Sequence, residues 1–362
     1  MTEEKVKQRP IVSVILAVYN EADFIKRSMA SLLEQEAPDF DLEILAVDGG
    51  SNDGTREYLE KLASTDWRVR VLHNRQKTAP FAFNMGLREA KGEYVCIFGA
   101  HAVYAKDYVS VCLRELLVRD VVGCGARILT EPASKGLQAR LVALALAHPF
   151  GSSGKSVRTR SEGYTDAGYM VLRKKPLMEV GGYSEEMSRN QDNDTYQKLR
   201  DLGYRFYCTW KTQCVYYPKS TIKGILAYAY RTGFWNGISL GQNPRSMAPR
   251  HLIPFAFVMS LLVSALFGAV GAFLSFPHRE LAFAPLAVFI GMHLAVGTLA
   301  GLQVAWREKY FGALALPFVF FAFHFSYGFG TLWALLSRAK PPRVGSRASG
   351  LGKALQKATA RD

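Results

Sequence analysis

The sequence predicts an α/β domain built on a doubly wound parallel sheet, followed by a helical membrane region, and three observations carry that reading. Near-continuous apolar runs, Ile11–Val18, Leu42–Val47, Val69–Leu72 and Tyr94–Phe98, alternate with helical stretches. Strands covered on both faces and their crossover helices read this way. Polar and Gly-rich segments fall where those runs end, at the carboxyl edge where such sheets hold ligands. Finally, His251–Phe276, Leu281–Trp306 and Tyr310–Ser337 are apolar with few charges, each longer than the roughly 20 residues that cross a bilayer. Three such runs in succession argue against buried helices of a soluble protein, and Trp306, Tyr310 and Trp333 lie near their ends as interfacial aromatics do.

The elements follow in order. Ile11–Val18 ends in Tyr19-Asn-Glu21, and Ala22–Gln35 carries Phe24, Ile25, Met29, Leu32 and Leu33 at helical spacing. Leu42–Val47 stops at Asp48-Gly-Gly-Ser-Asn-Asp-Gly-Thr55. Its glycines let backbone approach a ligand closely, and its Ser/Asn/Asp cluster can cap the helix Arg56–Ala63. Val69–Leu72 leads into Asn74-Arg-Gln-Lys-Thr78, a basic loop suited to phosphate, before the helix Pro80–Ala90. Tyr94–Phe98 then runs into Gly99-Ala-His101 and delivers a potential metal ligand to the sheet edge. Neither Gly-x-Gly-x-x-Gly after the first strand nor a Walker-type loop occurs, against nicotinamide dinucleotides and phosphate-loop nucleotide hydrolysis.

Further on, Leu137–Ala147 is apolar but too short to span a bilayer, so it packs in the domain or lies against the membrane. Asp166 precedes a predicted strand, Tyr169–Leu172. Arg189-Asn-Gln-Asp192-Asn-Asp194 opens the predicted helix Thr195–Leu202, where the macrodipole favours acidic residues. Thr221–Leu240, rich in Tyr, Phe and Trp with Lys223 and Arg231, reads as an amphipathic interface segment.

The 362 residues hold 45 Lys+Arg against 31 Asp+Glu, a net charge of +14, which favours anionic lipid or phosphate-bearing partners. With no nucleic-acid-binding motif, nucleic acid is not an expected partner. The five cysteines show no paired spacing and read as reduced core thiols of a cytosolic compartment. Met1–Pro10 is charged and lacks the apolar core of a signal peptide. The tail Ser337–Asp362 carries seven Lys/Arg against one Asp, which places it in the cytoplasm. The first domain is expected there too, and three full spans cannot satisfy both. His251–Phe276, with its leading His and Pro254, is therefore the run expected to lie in the interface or re-enter.

Val14-Ile-Leu-Ala-Val-Tyr-Asn-Glu21, the Val47–Thr55 loop, and Gly92-Glu93 before the strand into Gly99-Ala-His101 resemble the family 2 inverting glycosyltransferases of GT-A fold. His148-Pro-Phe-Gly151, Gly163-Tyr-Thr-Asp166, Gly181-Gly-Tyr183, Arg189-Asn-Gln-Asp192, Tyr217-Pro-Lys-Ser-Thr221 and Phe323-His-Phe-Ser-Tyr-Gly-Phe-Gly330 extend the resemblance over nearly the whole chain. They match the branch of succinoglycan-biosynthesis membrane glycosyltransferases. The boundaries expected are a GT-A (nucleotide-diphospho-sugar transferase, Rossmann-like) domain over 1–220, an interface segment over 221–250, two to three transmembrane helices over 251–337, and a basic cytoplasmic tail over 338–362.

The resemblance also implies roles. Ala17, Tyr19, Glu21 and Asp48 hold the uridine of a nucleotide sugar, and Lys77 adds a cation from the basic loop. Asp192, preceded by Gln191 in a Gln-Asp motif, is the catalytic base. Asp166 lies where donor sugar and acceptor meet, and Arg231 and Trp235 answer to an acceptor-side motif. His101 holds a divalent cation, Mg2+ or Mn2+, on the diphosphate. The branch usually reads Asp-Ala-His there, and Gly99 removes the first carboxylate. The implied reaction is inverting transfer from a UDP-sugar to a polyprenyl-diphosphate-linked acceptor, at the cytoplasmic face of the bacterial inner membrane, in cell-surface or extracellular polysaccharide biosynthesis. A processive synthase is disfavoured by the few spans available for a pore. A catalytically silent membrane scaffold has no reason to keep both His101 and Asp192.

Overall fold

The computed structural model describes residues 9–274 and 279–340, which fall into two compact units. One takes the chain up to Leu129 and again Arg160–Tyr216, and the other takes Thr130–Thr159 and the chain from Tyr217 onward.

In the first unit, β1 (Ile11–Val18), α1 (Ile25–Leu33), β2 (Asp41–Asp48), α2 (Thr55–Thr65), β3 (Val69–His73), α3 (Ala79–Glu89) and β4 (Tyr94–Gly99) follow the expected alternation. β1 pairs in parallel with β2 and β4, and β2 with β3. Val14, Ile15, Leu16, Ile44, Leu45 and Val95 are fully buried, as strands with helices on both faces require.

Beyond β4 the wholly parallel sheet expected from the sequence gives way to a mixed one, in the order β3-β2-β1-β4-β7-β6-β8-β5. Here β5 is Ala102–Tyr104, β6 Gly123–Thr130, β7 Val171–Arg173 and β8 Phe206–Tyr216. β7 runs antiparallel to both β4 and β6, and β5 antiparallel to β8. A parallel pair needs a crossover that packs on the sheet. The connection from β6 to β7 instead leaves for the second unit, which frees β7 to enter the other way. The unit is completed by α4 (Tyr108–Val118), a short α7 (Lys174–Glu179) and α8 (Gln191–Asp201). α8 begins four residues before the predicted Thr195, so Asp192 and Asp194 lie within its first turn.

The second unit holds α5 (Leu137–Ala147), the single turn α6 (Pro149–Ser152), α9 (Ile222–Gln242), α10 (Ile253–Phe273), α11 (Ala284–Glu308) and α12 (Leu316–Leu336). Leu141 and Ala145 of α5 pack with Ala300, Val304, Leu316 and Phe320. This is why 130–159 parts from the rest of the span 1–220: an apolar helix too short to cross a membrane finds its core among longer apolar helices. The segments Pro249–Phe273, Leu281–Glu308 and Phe311–Leu336 are each long and apolar enough to cross a membrane. Residues 275 and 276 of the first expected span, and the tail beyond Lys340, lie outside the described residues.

α9, read from composition as an interface segment, runs closely along α12. A Cβ on Gly233 would sit 1.8 Å from the Tyr327 carbonyl oxygen, and one on Gly330 2.2 Å from that of Tyr230. The Thr331 hydroxyl donates to the Gly233 carbonyl at 3.0 Å, and Asn236 Nδ2 to the Tyr327 hydroxyl at 2.5 Å. Backbones approach this way where small residues line a helix pair. All five cysteines are buried and free, as core thiols are.

Candidate active site

The carboxyl ends of β1, β2 and β4 are level, with Ala17 opposite both Val47 and Gly99. Two loops leave this edge and are stitched together. The Asn20 amide donates to Ser51 Oγ at 2.9 Å, and the Asn52 amide to Asn20 Oδ1 at 3.0 Å. The Glu21 amide donates to Thr55 Oγ1 at 2.9 Å and the Ala22 amide to Asp53 Oδ2 at 3.0 Å. The Ser/Asn/Asp cluster thus joins two loops, and its Asp53 also starts α2: Oδ1 accepts the amide of Thr55, the first helical residue, at 3.1 Å, while the N-cap position itself is Gly54 at φ +93. Tyr19 is half exposed, and its ring lies 3.4 Å from where a Cβ of Gly49 would be. Lys77, at φ +60, brings Nζ to 3.8 Å from the corresponding point on Gly50.

Asp48, expected at the uridine, is bound into its own loop. Its carboxylate is fully buried and accepts from the Gly50 and Ser51 amides at 3.1 and 3.0 Å, and from Arg56 Nε and Nη2 at 2.9 and 2.7 Å. With no exposed surface, it anchors the Gly-rich loop, Oδ2 taking both Arg56 bonds and Oδ1 that of the Ser51 amide. Sequence reading missed Arg56, although a cation in the first turn of a helix opposes the macrodipole and so asks for a carboxylate partner. Burial alone would raise the Asp48 pKa, but the bonds from Ser51, Arg56 and Gly50 prevail and lower it. A carboxyl whose folded pKa lies below its unfolded one contributes stability above the unfolded value and loses it as pH falls through the folded one. Asp48→Asn should therefore lower the thermal midpoint at neutral pH, by about 1–3 kcal/mol of stability, and flatten the acid limb of a stability–pH curve. Superimposable curves for the two proteins would refute the anchoring role.

At the end of β4, His101 Nδ1 lies 2.8 Å from Glu21 Oε2, and Phe24 meets the imidazole edge-on at a centroid distance of 6.1 Å. Glu21, expected at the uridine, is thus turned to His101. An imidazole that donates from Nδ1 to a carboxylate keeps its Nε2 lone pair free and correctly turned for a metal. Among the described residues no group of three or more His, Cys, Asp and Glu could hold an ion. What the site offers is an oriented imidazole, and it fits a divalent cation whose other positions are largely diphosphate oxygens and water.

Asp192 lies in the first turn of α8, just after Asn190 at φ +63. Its Oδ1 accepts the Asn193 amide at 2.9 Å. Asp192 is exposed, and desolvation by its surroundings, and then the like charge of Asp166, push its pKa up. Asp166 is held by Arg160, whose Nη1 bonds Oδ1 at 2.9 Å and also contacts the Asp166 carbonyl. Arg160, itself buried, is a second cation that sequence reading missed. The neighbouring Gln191 Oε1 is buried without a hydrogen-bond partner among the described residues. Asp194 is buried and paired with Lys198 at 2.7 Å. Arg231 and Trp235 stand on α9 in the second unit.

Residues 13–181 match the family model described as "Glycosyl transferase family 2". The chain is 28% identical to "Succinoglycan biosynthesis protein ExoA" of Rhizobium meliloti (strain 1021), over 82% of this chain and 94% of the relative. It is 23% identical, over 88% and 95%, to a Methanococcus voltae protein named "Dolichyl N-acetyl-alpha-D-glucosaminyl phosphate 3-beta-D-2,3-diacetamido-2,3-dideoxy-beta-D-glucuronosyltransferase". Among solved structures, the mannosyltransferase PcManGT of Pyrobaculum calidifontis, in complex with GDP-Man and Mn2+, shares the fold with a TM-score of 0.55 at 22% identity, over 91% of this chain and 88% of that one.

Proposed function

We propose, from the premise that this chain is a glycosyltransferase with a family 2 domain at residues 13–181, that it moves a sugar with inversion from a nucleotide sugar to a polyprenyl-linked saccharide. Polysaccharide or glycan biosynthesis is its setting, as the names of its relatives support. We read the donor as a uridine diphosphate sugar. The lipid-linked acceptor is supported by three segments, in the same chain, that are long and apolar enough to cross a membrane. A dolichyl phosphate acceptor in the name of the Methanococcus relative agrees with it. The reading places the chain in a bacterial inner membrane with the transferase domain towards the cytoplasm.

The observation that carries the mechanism is Asp192, an accessible carboxylate with a raised pKa in the first turn of α8. An inverting transfer needs one displacement at the anomeric carbon. The acceptor hydroxyl gives its proton to Asp192 as its oxygen attacks, the bond from carbon to the phosphate oxygen breaks, and the nucleoside diphosphate departs. Lys77, beside Gly50, supplies positive charge near the stitched loops. Bound at His101, a divalent cation would supply Lewis-acid charge to the diphosphate. Glu21 acts on that step only by holding the imidazole.

Membranes containing the protein, given a panel of nucleotide sugars and native lipid extract, should release a nucleoside diphosphate and form a lipid-linked product with one donor. A soluble product, or none across the panel, would overturn the acceptor or the donor reading respectively. His101→Ala should weaken donor binding at low metal and lower turnover by about tenfold or more, and excess chelator should do the same to the wild type. Wild-type activity undiminished in chelator would leave the basic loop as the main electrophile.

A further inference from the structure

The face shared by β6 and β8 leaves two large side chains uncovered. β7 is antiparallel to both β4 and β6, so β6 points its carboxyl end to the same edge as β4. Along the neighbours β6 and β8 that face can be followed two residues at a time. A Cβ on Gly123 would meet the ring of Phe206 at 3.0 Å, inside the core. One step on, Cys208 is buried, and a Cβ on Gly125 would meet Ala167 and the Gly168 carbonyl oxygen at 2.7 and 2.8 Å, so the segment that carries Asp166 covers this level. One step further the cover ends. Arg127 is exposed, Trp210 is 47% exposed, and the guanidinium lies over the indole at 4.8 Å. Phe206–Thr209 is buried throughout, so the indole stands where a core strand comes into the open. Among the described residues neither side chain has a hydrogen bond or an ion pair. Like-facing residues on a strand are about 7 Å apart, roughly one sugar unit, and the covered level next to the pair belongs to the segment of Asp166, whose charge acts on Asp192.

We propose that Trp210 and Arg127 form a saccharide subsite for the acceptor, in which the exposed part of the indole takes the apolar C–H face of a sugar ring and the guanidinium donates to oxygens at its rim. The inference rests on the saccharide-acceptor reading above. An indole suits the task because it offers a broad apolar surface with an N–H at its edge. The planar guanidinium stacks on that ring and is thereby set in place with its five donors still to be used.

The test measures lipid-linked product over a dilution series of native lipid extract, with the donor that the panel selects, in detergent and in vesicles. Wild type, Trp210→Ala, Trp210→Phe and Trp67→Ala are compared. Trp210→Ala should raise the extract concentration for half-maximal rate about tenfold or more, while its calorimetric affinity for the donor's nucleoside diphosphate in Mn2+ stays at the wild-type value. Trp210→Phe should recover most of that loss, since a smaller ring still stacks. Trp67, 82% exposed just before β3 and so at the amino edge of the sheet, is the control that should change nothing. Equal half-saturation of wild type and Trp210→Ala would overturn the inference alone. So would a loss seen in vesicles and absent in detergent, which marks an indole seated in the bilayer surface, or a Trp210→Ala protein that loses the nucleoside diphosphate as well, which marks a structural residue. A wild type that forms no lipid-linked product at any extract concentration would overturn the acceptor reading and this inference with it.

Discussion

Asp192→Asn folds, binds the nucleotide sugar as the wild type does, and turns over at least about a hundredfold more slowly. The amide keeps the shape of the carboxylate and can still accept the Asn193 amide, so the start of α8 is undisturbed. What it loses is the ability to take a proton. Because desolvation and Asp166 push the Asp192 carboxyl up, the acid limb of the wild-type turnover profile should lie higher than for an unperturbed aspartate. Asp194→Asn is the control two residues away. Its carboxylate is buried against Lys198, so the loss should appear as about a kcal/mol of stability with turnover nearly intact. If Asp192→Asn loses donor affinity instead of turnover, or behaves as Asp194→Asn does, Asp192 is not the base.

Gly233→Val is expected to abolish folding of the helical unit. A Cβ there would stand 1.8 Å from the Tyr327 carbonyl oxygen, and a backbone atom cannot swing aside as a side chain end can. Either α9 and α12 separate, losing the bond from Thr331 to the Gly233 carbonyl, or one helix kinks. The cost should exceed the roughly 1–3 kcal/mol of an ordinary overpacked core. Gly241→Val, on the same helix with nothing within 4 Å of its Cβ, should be tolerated. Size-exclusion profiles and thermal aggregation in detergent separate the two, and a monodisperse Gly233→Val protein would contradict the close approach.

The parts of the fold legible in the sequence are those whose apolar character is unbroken. β1, β2 and β4 are buried along nearly their whole length and read as near-continuous runs, β3 is a short, half-buried edge strand, and the long C-terminal helices announce themselves by length. β6 escaped because Gly123 and Gly125 read locally as breakers. In the folded chain they are small because Leu172 and Ala167 leave no room, with 2.5 and 2.7 Å to a Cβ at each position. β5 has three residues, too few for any period, and its partner β8 lies about a hundred residues on. At the candidate site, His101 and Asp192 are proposed from residue type and motif. The pairing of Glu21 with His101 spans 80 positions and leaves no local trace. The bonds of Asp48 to its own loop and to Arg56 left no trace in the sequence, because a carboxylate in a Gly-rich loop looks the same whether it faces a ligand or its own backbone.

The chain crosses between its two units three times, after Leu129, Thr159 and Tyr216, and this sets a timetable for synthesis. α5 emerges well before α11 and α12, the helices with which it packs. At about 5–20 residues per second, the ribosome needs on the order of ten seconds or more to supply them. During that interval an apolar helix stands without its partners, and β4 waits with an open edge for β7. Chaperone or insertase engagement at this stage would cover both, and a chain cut at Tyr216 to obtain a soluble transferase domain would keep α5 permanently in that unfinished state. Excising 130–159 along with the C-terminal helices, with a short linker from β6 to Arg160, is the truncation that respects how the polypeptide is threaded.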